Sequence, residues 1–444
     1  MKHVARRYAG SNVPRYTSYP TAADFIPMVG PADHKAWLGK LDGRESVSVY
    51  LHVPYCREIC LYCGCNTKMA VRDDVILRYR RALEAEIGLV ASSIETPPNV
   101  ARLHWGGGTP GILGLSGLES VLAVLRSYFP LGPAFEPAIE LDPRFVTVEL
   151  ADGLVALGVT RASLGVQDVN PLVQAAIGRI QPLSVVESAV ERLRRAGIHH
   201  LNFDLIYGLP MQTMESIRET CALVSAMEPD RIACFGYAHL PRLRANQRYI
   251  DGKVLPSLDQ RIDQAELVAE ELVRRGYVRI GIDHFAKRSD SLVLAATSGR
   301  LHRNFQGYTD DDKKILLGLG ASSISTFAEG FIQNISDVPK YVSAIEAGGL
   351  ASARGCRIDA DDRQRGRIIE RLMCDFSVDL SKAAPGTDFS NELSTLVPMI
   401  DDGLVELEGA RLVVTETGRP VVRVIAAAFD SYRRPPAAQF SKAV

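Results

Sequence analysis

No run of about 18 apolar residues occurs in the 444-residue chain, so no membrane-crossing helix is expected. Neither sign of charge is in excess: 51 Lys and Arg stand against 52 Asp and Glu, a formal net charge of −1. Nucleic acid and anionic membranes select basic faces, so neither is an expected partner. The opening MKHVARRYAGSNVPRY lacks the apolar middle of a secretory signal, and a cytoplasmic location is expected. Thiols stay reduced there, so the eight cysteines do not read as a disulfide framework. Internal repeats and low-complexity segments are lacking too. With 46% hydrophobic and 23% charged residues the composition is globular, and the length exceeds one ordinary domain.

What is present is a rhythm. Residues 1–30 are polar, carry Pro14, Pro20 and Pro27, and read as an irregular arm. From Ser46 short apolar runs alternate with stretches of helical period. The strand candidates are 46–53, 101–105, 137–142, 161–166, 200–208, 231–238 and 277–282. Helical stretches fall at 82–90, 115–127, 185–196, 214–227 and 260–275. This alternation predicts an α/β domain around a parallel sheet, open or curled into part of a barrel. Ligands gather at the carboxyl ends of such strands. The polar motifs sit there: cysteines after the first strand, GGGTP after the second, Asp142-Pro143 after the third, Gln167-Asp168 after the fourth. From about Ile358 the pattern is helical around DDGLVELEGARLVVTETG, which reads as a β-hairpin. The expected division is an arm over 1–30, a catalytic domain over 31–357 and a smaller, mainly helical C-terminal domain over 358–444.

Tyr50 to Asn66, YLHVPYCREICLYCGCN, holds four of the cysteines in the spacing C-x3-C-x2-C-x-C. Structural zinc usually takes two ligand pairs separated by a longer loop, and a C-x-C end is hard to close into a tetrahedron. An iron–sulfur cube has a wider footprint, which thiolates three or four positions apart suit. The spacing favours iron–sulfur over zinc. Cys221, Cys234, Cys356 and Cys374 are scattered and read as core filling.

The loop resembles the signature of radical S-adenosylmethionine enzymes. With PRYTSYPTA, LHWGGGTP, IELDPR, SLGVQD, FDLIYGLP, YAHLP, HRNFQGYT and GLGASSIS, the chain is similar to the oxygen-independent coproporphyrinogen III dehydrogenase family. The resemblance implies a partial (β/α)6-type barrel with a curved parallel sheet. It implies a [4Fe–4S] cluster on Cys56, Cys60 and Cys63 that binds S-adenosylmethionine and cleaves it to a 5′-deoxyadenosyl radical. Hydrogen abstraction from a propionate then releases CO2 and leaves a vinyl group, twice per coproporphyrinogen III. Two molecules of S-adenosylmethionine are implied. Tyr50, Gly107, Glu140 and Ile324 match positions for the first, and Tyr62, Gly108, Thr109, Gln167, Arg179, Asp204 and Ala238 for the second. Tyr62 stands where the family commonly has Phe. Cys65 is carried by the family without being an implied ligand, and a polar role near substrate is expected of it. An electron donor such as flavodoxin or ferredoxin and a monomeric state are also expected. The alternative is a haem-carrying relative of the same superfamily, which usually lacks both the cysteine at position 65 and the PRYTSYP arm.

The residues can be weighed on their own. GGGTP is open between close approach to a ligand and a tight strand-to-helix turn. Glu140 and Asp204 in apolar strands need a partner, either a ligand or an ion pair. Gln167 also reads as ordinary strand-end capping, Arg179 as a solvated helix arginine and Tyr50 as core. His302, Arg303 and Gln306 sit in a loop dense in polar and aromatic groups and are substrate-contact candidates. In the arm, Tyr16, Tyr19 and Pro20 are too apolar for a solvated tail, and Arg15 could meet a carboxylate. The arm is expected to cover the open end of the barrel.

Overall fold

The structure, a computed structural model, describes residues 2–433. Helix α1 (Lys2–Ala9) opens the chain, an extended arm follows, and α2 (Pro31–Leu38) starts on a proline that has no N–H to leave unpaired. Strand β1 (Ser46–Val53) leads into the cysteine loop, which is bracketed by a short ribbon of β2 (Tyr55–Cys56) and β3 (Lys68–Met69). Then come β4 (Asn99–Gly107), β5 (Leu131–Leu141), β6 (Arg161–Gln167), β7 (His200–Tyr207) and β8 (Arg231–Gly236). Helices α3 (Asp73–Ala91), α4 (Gly114–Tyr128), α5 (Val148–Ala156), α6 (Pro171–Ala176), α7 (Leu183–Ala196) and α8 (Met214–Ala226) alternate with them. The six strand candidates from 46 to 238 and the first four helical stretches are thus all found, most of them longer than the sequence marked.

The register shows why. Along β6, Ala162, Leu164 and Val166 are buried while Arg161, Ser163, Gly165 and Gln167 face the other way, the two-residue period of a strand. The buried set joins Leu103, Ile139, Leu201 and Phe203 in one core with Leu83, Ile87, Val121, Leu125, Val190 and Leu193 of the helices. Each of the larger side chains among them stabilises by roughly 1.5–3 kcal/mol through burial.

The sheet extends beyond the expected strands. After α9 (Leu258–Arg274), β9 (Val278–Ile280) and β10 (His284–Ala286) form an antiparallel edge beside β8. Helix α10 (Ser291–Thr297) and the hairpin of β11 (His302–Asn304) and β12 (Gly307–Thr309) follow. Strand β13 (Leu316–Leu319) then lies parallel to β1, and β14 (Ile324–Phe327), β15 (Gly330–Asn334) and β16 (Ser352–Arg357) complete an antiparallel wing, with α11 (Val338–Glu346) before β16. The order β16-β15-β14-β13-β1-β4-β5-β6-β7-β8-β10-β9 makes one 12-stranded sheet. Ser48, His104, Glu140, Ser163, Asp204, Ala233 and His284, from strands spread over that order, line a single cavity of about 290 Å³, so the sheet is curled.

Helix α12 (Ala360–Asp375) begins on a reciprocal cap between Asp359 and Asp362. Beyond it lie β17 (Ser377–Asp379), the short α13 (Leu380–Ala383), α14 (Ser390–Asp401), the hairpin of β18 (Val405–Glu408) and β19 (Arg411–Val414), and α15 (Val422–Ala426). The hairpin is where the sequence put it, and β17 adds a third strand. The arm differs from expectation: residues 2–9 are helical, and Ala5, Ala9, Val13, Tyr16 and Tyr19 share a core with Ile368, Leu372, Val422 and Phe429. The reason is an apolar face, Val4, Ala5, Tyr8 and Ala9, at helical spacing. No helix among the described residues is long and apolar enough to cross a membrane.

Candidate active site

The cysteine loop is held by its surroundings rather than by regular structure. Asn246 Nδ2 lies 3.0 Å from the carbonyl oxygen of Cys60, 3.2 Å from that of Leu61 and 3.0 Å from that of Cys63. Gln247 Nε2 donates to the carbonyls of Tyr62 (2.8 Å) and Ala238 (3.1 Å), tying the loop to the end of β8. Gly108 N–H donates to Val53 O and Thr109 N–H to Tyr55 O, both at 2.8 Å, which fixes the start of the loop against the end of β4.

Three glycines make that last contact possible. A Cβ on Gly106 would come within 2.8 Å of Glu140 Oε1 and the Tyr50 ring, one on Gly107 within 2.6 Å of His52, and one on Gly108 within 2.5 Å of Tyr55 O. Gly107 also has φ of +112°. The space the missing Cβ atoms leave is filled by protein, so the triplet is a close-packed turn. Its freed N–H groups then serve the site: Gly107 N–H donates to Glu140 Oε2 at 3.0 Å.

Cys56, Cys60, Cys63 and Cys65 all line one cavity of about 580 Å³ at the carboxyl ends of the strands. Its walls include Tyr62, Gly107, Gly108, Thr109, Glu140, Gln167, Arg179, Asp204 and Ala238, and its rim Val13, Pro14 and Arg15 of the arm. Residues singled out in the sequence from the arm to β8 thus meet at one place. Tyr50 lies behind the wall, stacked on His104 at 5.9 Å and hydrogen-bonded to His52 at 3.0 Å. Ile324 is not brought to this cavity; on β14 it packs with Phe25, Phe331 and Cys356. Gln306 lines the cavity inside the sheet, and His302 pairs with Glu370 at 3.1 Å.

The charges are arranged by partner. Burial pushes the Glu140 carboxyl up, but the hydrogen bonds from His104 Nε2 (3.0 Å) and Gly107 N–H outweigh it and hold the group below the usual carboxylate range. Asp204 lacks such donors of charge: burial lifts it to about 6 against hydrogen bonds from Ser163 (2.8 Å) and Asn202 (2.9 Å). Arg179 is buried and reaches Cys60 Sγ at 3.4 Å, Asp142 at 3.0 Å and Gly165 O at 2.7 Å, so it is a built-in cation facing the thiols. Burial pushes the Cys56 thiol up to about 11. A hydrogen bond between Cys65 and Cys63 lowers Cys63 and raises Cys65.

Among the described residues no three His, Cys, Asp or Glu side chains converge on a single ion position. Four thiols from one loop lining a common cavity, with a buried arginine beside them, are instead a donor set that suits an iron–sulfur cluster. Arg144, Asn246 and Gln247 are the site residues that sequence reasoning missed, while Asp142 was marked there only as part of a strand-end motif. Asp142 accepts from both Arg144 (2.8 Å) and Arg179 (3.0 Å), and the Asp142-Pro143 motif carried that signal. Asn246 and Gln247 lie in a turn with no period to mark them.

A profile of the Radical SAM superfamily matches residues 50–224, and one described as the HemN C-terminal domain matches 358–421. The sheet and cysteine loop are therefore those of a radical S-adenosylmethionine protein. The chain is 44% identical to the oxygen-independent coproporphyrinogen III oxidase of Bradyrhizobium diazoefficiens, over 99% of each chain. It is 41% identical to the protein of that name from Cereibacter sphaeroides, over 96% of each. A solved coproporphyrinogen III oxidase from Escherichia coli, described as a radical SAM enzyme, superposes with a TM-score of 0.90 at 36% identity, over 95% of this chain and 100% of that one. The chain belongs to the family of oxygen-independent coproporphyrinogen III oxidases.

Proposed function

We infer that this chain is a radical S-adenosylmethionine oxidoreductase that decarboxylates two propionates of coproporphyrinogen III to vinyl groups in haem biosynthesis. The observation that carries the reading is the single cavity in which the loop cysteines meet Glu140, Arg179 and Asp204, in a chain similar along its whole length to proteins of that activity.

Cys56, Cys60 and Cys63 are the residues that would hold the [4Fe–4S] cluster. When bound, that cluster supplies the electron that cleaves S-adenosylmethionine to the hydrogen-abstracting 5′-deoxyadenosyl radical. The protein's own part is to hold and enclose. Glu140, kept anionic, accepts hydrogen bonds from an amine or hydroxyl. Gly108, Thr109, Gln167, Arg179, Asp204 and Ala238 offer further contacts on the same walls, enough for a second S-adenosylmethionine beside the first. The arm at the rim keeps water from the reacting carbon. A one-electron donor of the flavodoxin or ferredoxin class and a monomeric enzyme complete the proposal.

The test is an anaerobic assay with coproporphyrinogen III, S-adenosylmethionine and reductant, followed by chromatography of the porphyrins. Protoporphyrinogen IX and CO2 are expected. Stable haem binding without CO2 release would instead identify a haem carrier.

A further inference from the structure

A second cavity, of about 740 Å³, opens from the first and shares Arg15, Phe235, Gly236, Tyr237, Ala238 and Leu240 with it. It lies between the arm, α9, the β9–β10 turn and the C-terminal segment, and its size is within the roughly 300–1,000 Å³ of small-molecule sites. Five arginines line it: Arg15, Arg261, Arg279, Arg303 and Arg423.

Three of them, Arg261, Arg279 and Arg303, are short of acceptors among the described residues. Among the described residues, Nε of Arg261, Nε of Arg279, and both Nε and Nη1 of Arg303 are buried without a hydrogen-bond partner. Arg303 lies over the Tyr308 ring at 4.4 Å. Arg15 donates to Gly236 O at 3.2 Å, and the contacts of Arg423 include the carbonyls of Val13 (2.6 Å) and Pro14 (2.9 Å). Of the carboxylates on the same walls, Asp283 pairs with His284 at 2.7 Å and also faces Arg303 and Arg15, and Glu416 pairs with Arg419 at 2.6 Å. Burial, with repulsion from Arg15, holds Arg261 below the ordinary guanidinium range, and burial with Arg15 and Arg303 holds Arg423 down at about 9. Guanidinium N–H groups buried without acceptors are costly, and their fork matches a carboxylate. Tyr207, Phe235, Ile262 and Ile282 supply apolar wall between them.

We propose that this cavity is the carboxylate-binding half of the substrate site, in which Arg261, Arg279 and Arg303 take propionates of the tetrapyrrole and Arg15 and Arg423 add positive field. The proposal rests on the coproporphyrinogen reading above and goes further by assigning residues to the groups that are held. Seating carboxylates here directs the macrocycle's other edge through the shared Phe235–Ala238 wall toward the cysteines.

The experiment uses the full chain with its cluster rebuilt anaerobically. Arg261→Gln and Arg279→Gln should each raise KM for coproporphyrinogen III about tenfold, the loss of one charge-assisted hydrogen bond, with kcat changed less than about twofold. Iron content should be unchanged, and Arg261→Lys should recover part of the affinity. Titrated with coproporphyrin III, the stable oxidised form, both Gln variants should bind more weakly. The tetramethyl ester should bind wild type poorly and be indifferent to either substitution. Unchanged KM and coproporphyrin affinity in both variants would overturn the proposal. So would equal affinity of wild type for acid and ester, a comparison that decides the matter even if the variants do not fold. If wild type binds the acid in preference to the ester yet releases no CO2, the functional reading fails and the carboxylate cradle stands.

Discussion

At the scale of residues, the site separates ligands from their supports. Cys60→Ser should abolish iron binding and cleavage of S-adenosylmethionine. Cys65→Ser should keep about full iron content, because the proposed cluster ligands are Cys56, Cys60 and Cys63. Iron analysis and absorbance of anaerobically rebuilt protein check both, and equal iron loss in the two variants would make Cys65 a ligand. Asn246→Ala removes the amide that bridges three loop carbonyls. Buried acceptors left unpaired cost roughly 1–3 kcal/mol each, so its cluster should form slowly and be lost several-fold faster to a chelator. Identical chelation rates would show that the loop holds its own shape. The cysteines were legible because their spacing is itself the chemistry. Asn246 was not, since a side chain that caps carbonyls 183 or more positions away leaves no local pattern.

At the scale of elements, the strands from β1 to β8 were legible from alternation and from the polar residues at their carboxyl ends. Strand β13, with Leu316–Leu319, was missed because it is short and holds a glycine, and its parallel neighbour β1 comes from far along the chain. The contact that fixes it is a buried carboxyl. Glu86 on α3 accepts from Gly320 N–H, Asn334 Nδ2 and Tyr341 Oη, each at 2.6 Å. Burial outweighs these donors and lifts Glu86 to about 7, whereas in an unfolded chain a glutamate titrates near 4.3. Between those values the folded chain holds the extra proton, so the stability tied to Glu86 is present at low pH and lost as pH rises through about 7. Glu86→Gln removes the titration whatever else it costs. The stability of wild type minus that of the variant should therefore fall between about pH 5 and pH 8, measured by denaturant unfolding. A difference that is flat or rises would refute the assignment.

At the scale of the whole molecule, the arm and the C-terminal segment are one body. Tyr16 Oη donates to Asp430 at 2.9 Å, Tyr8 Oη to Asp402 at 2.7 Å, and Tyr19 meets Ser431 at 2.9 Å. The sequence marked the arm as too apolar for a tail but carried no sign of its partner, because the shared core joins opposite ends of the chain. Deleting residues 1–24 should consequently do more than open the rim. It strips Ala9, Val13, Tyr16 and Tyr19 from that core, at roughly 1.5–3 kcal/mol for each large side chain. Limited proteolysis should then cut within 358–433 while iron content persists and vinyl formation stops. Full-length protease resistance and rate in the truncated chain would refute this.

The same pairing sets an order in time. Tyr19 and Ser431 lie 412 positions apart. At about 5–20 residues per second, a ribosome needs roughly 20–80 s to make that stretch. The cysteine loop is finished early in that interval, while the lid above it has no anchor. A nascent chain therefore has its cysteine loop complete well before Ser431 is made, so the contact between the arm and the C-terminal segment is among the last of the fold to form.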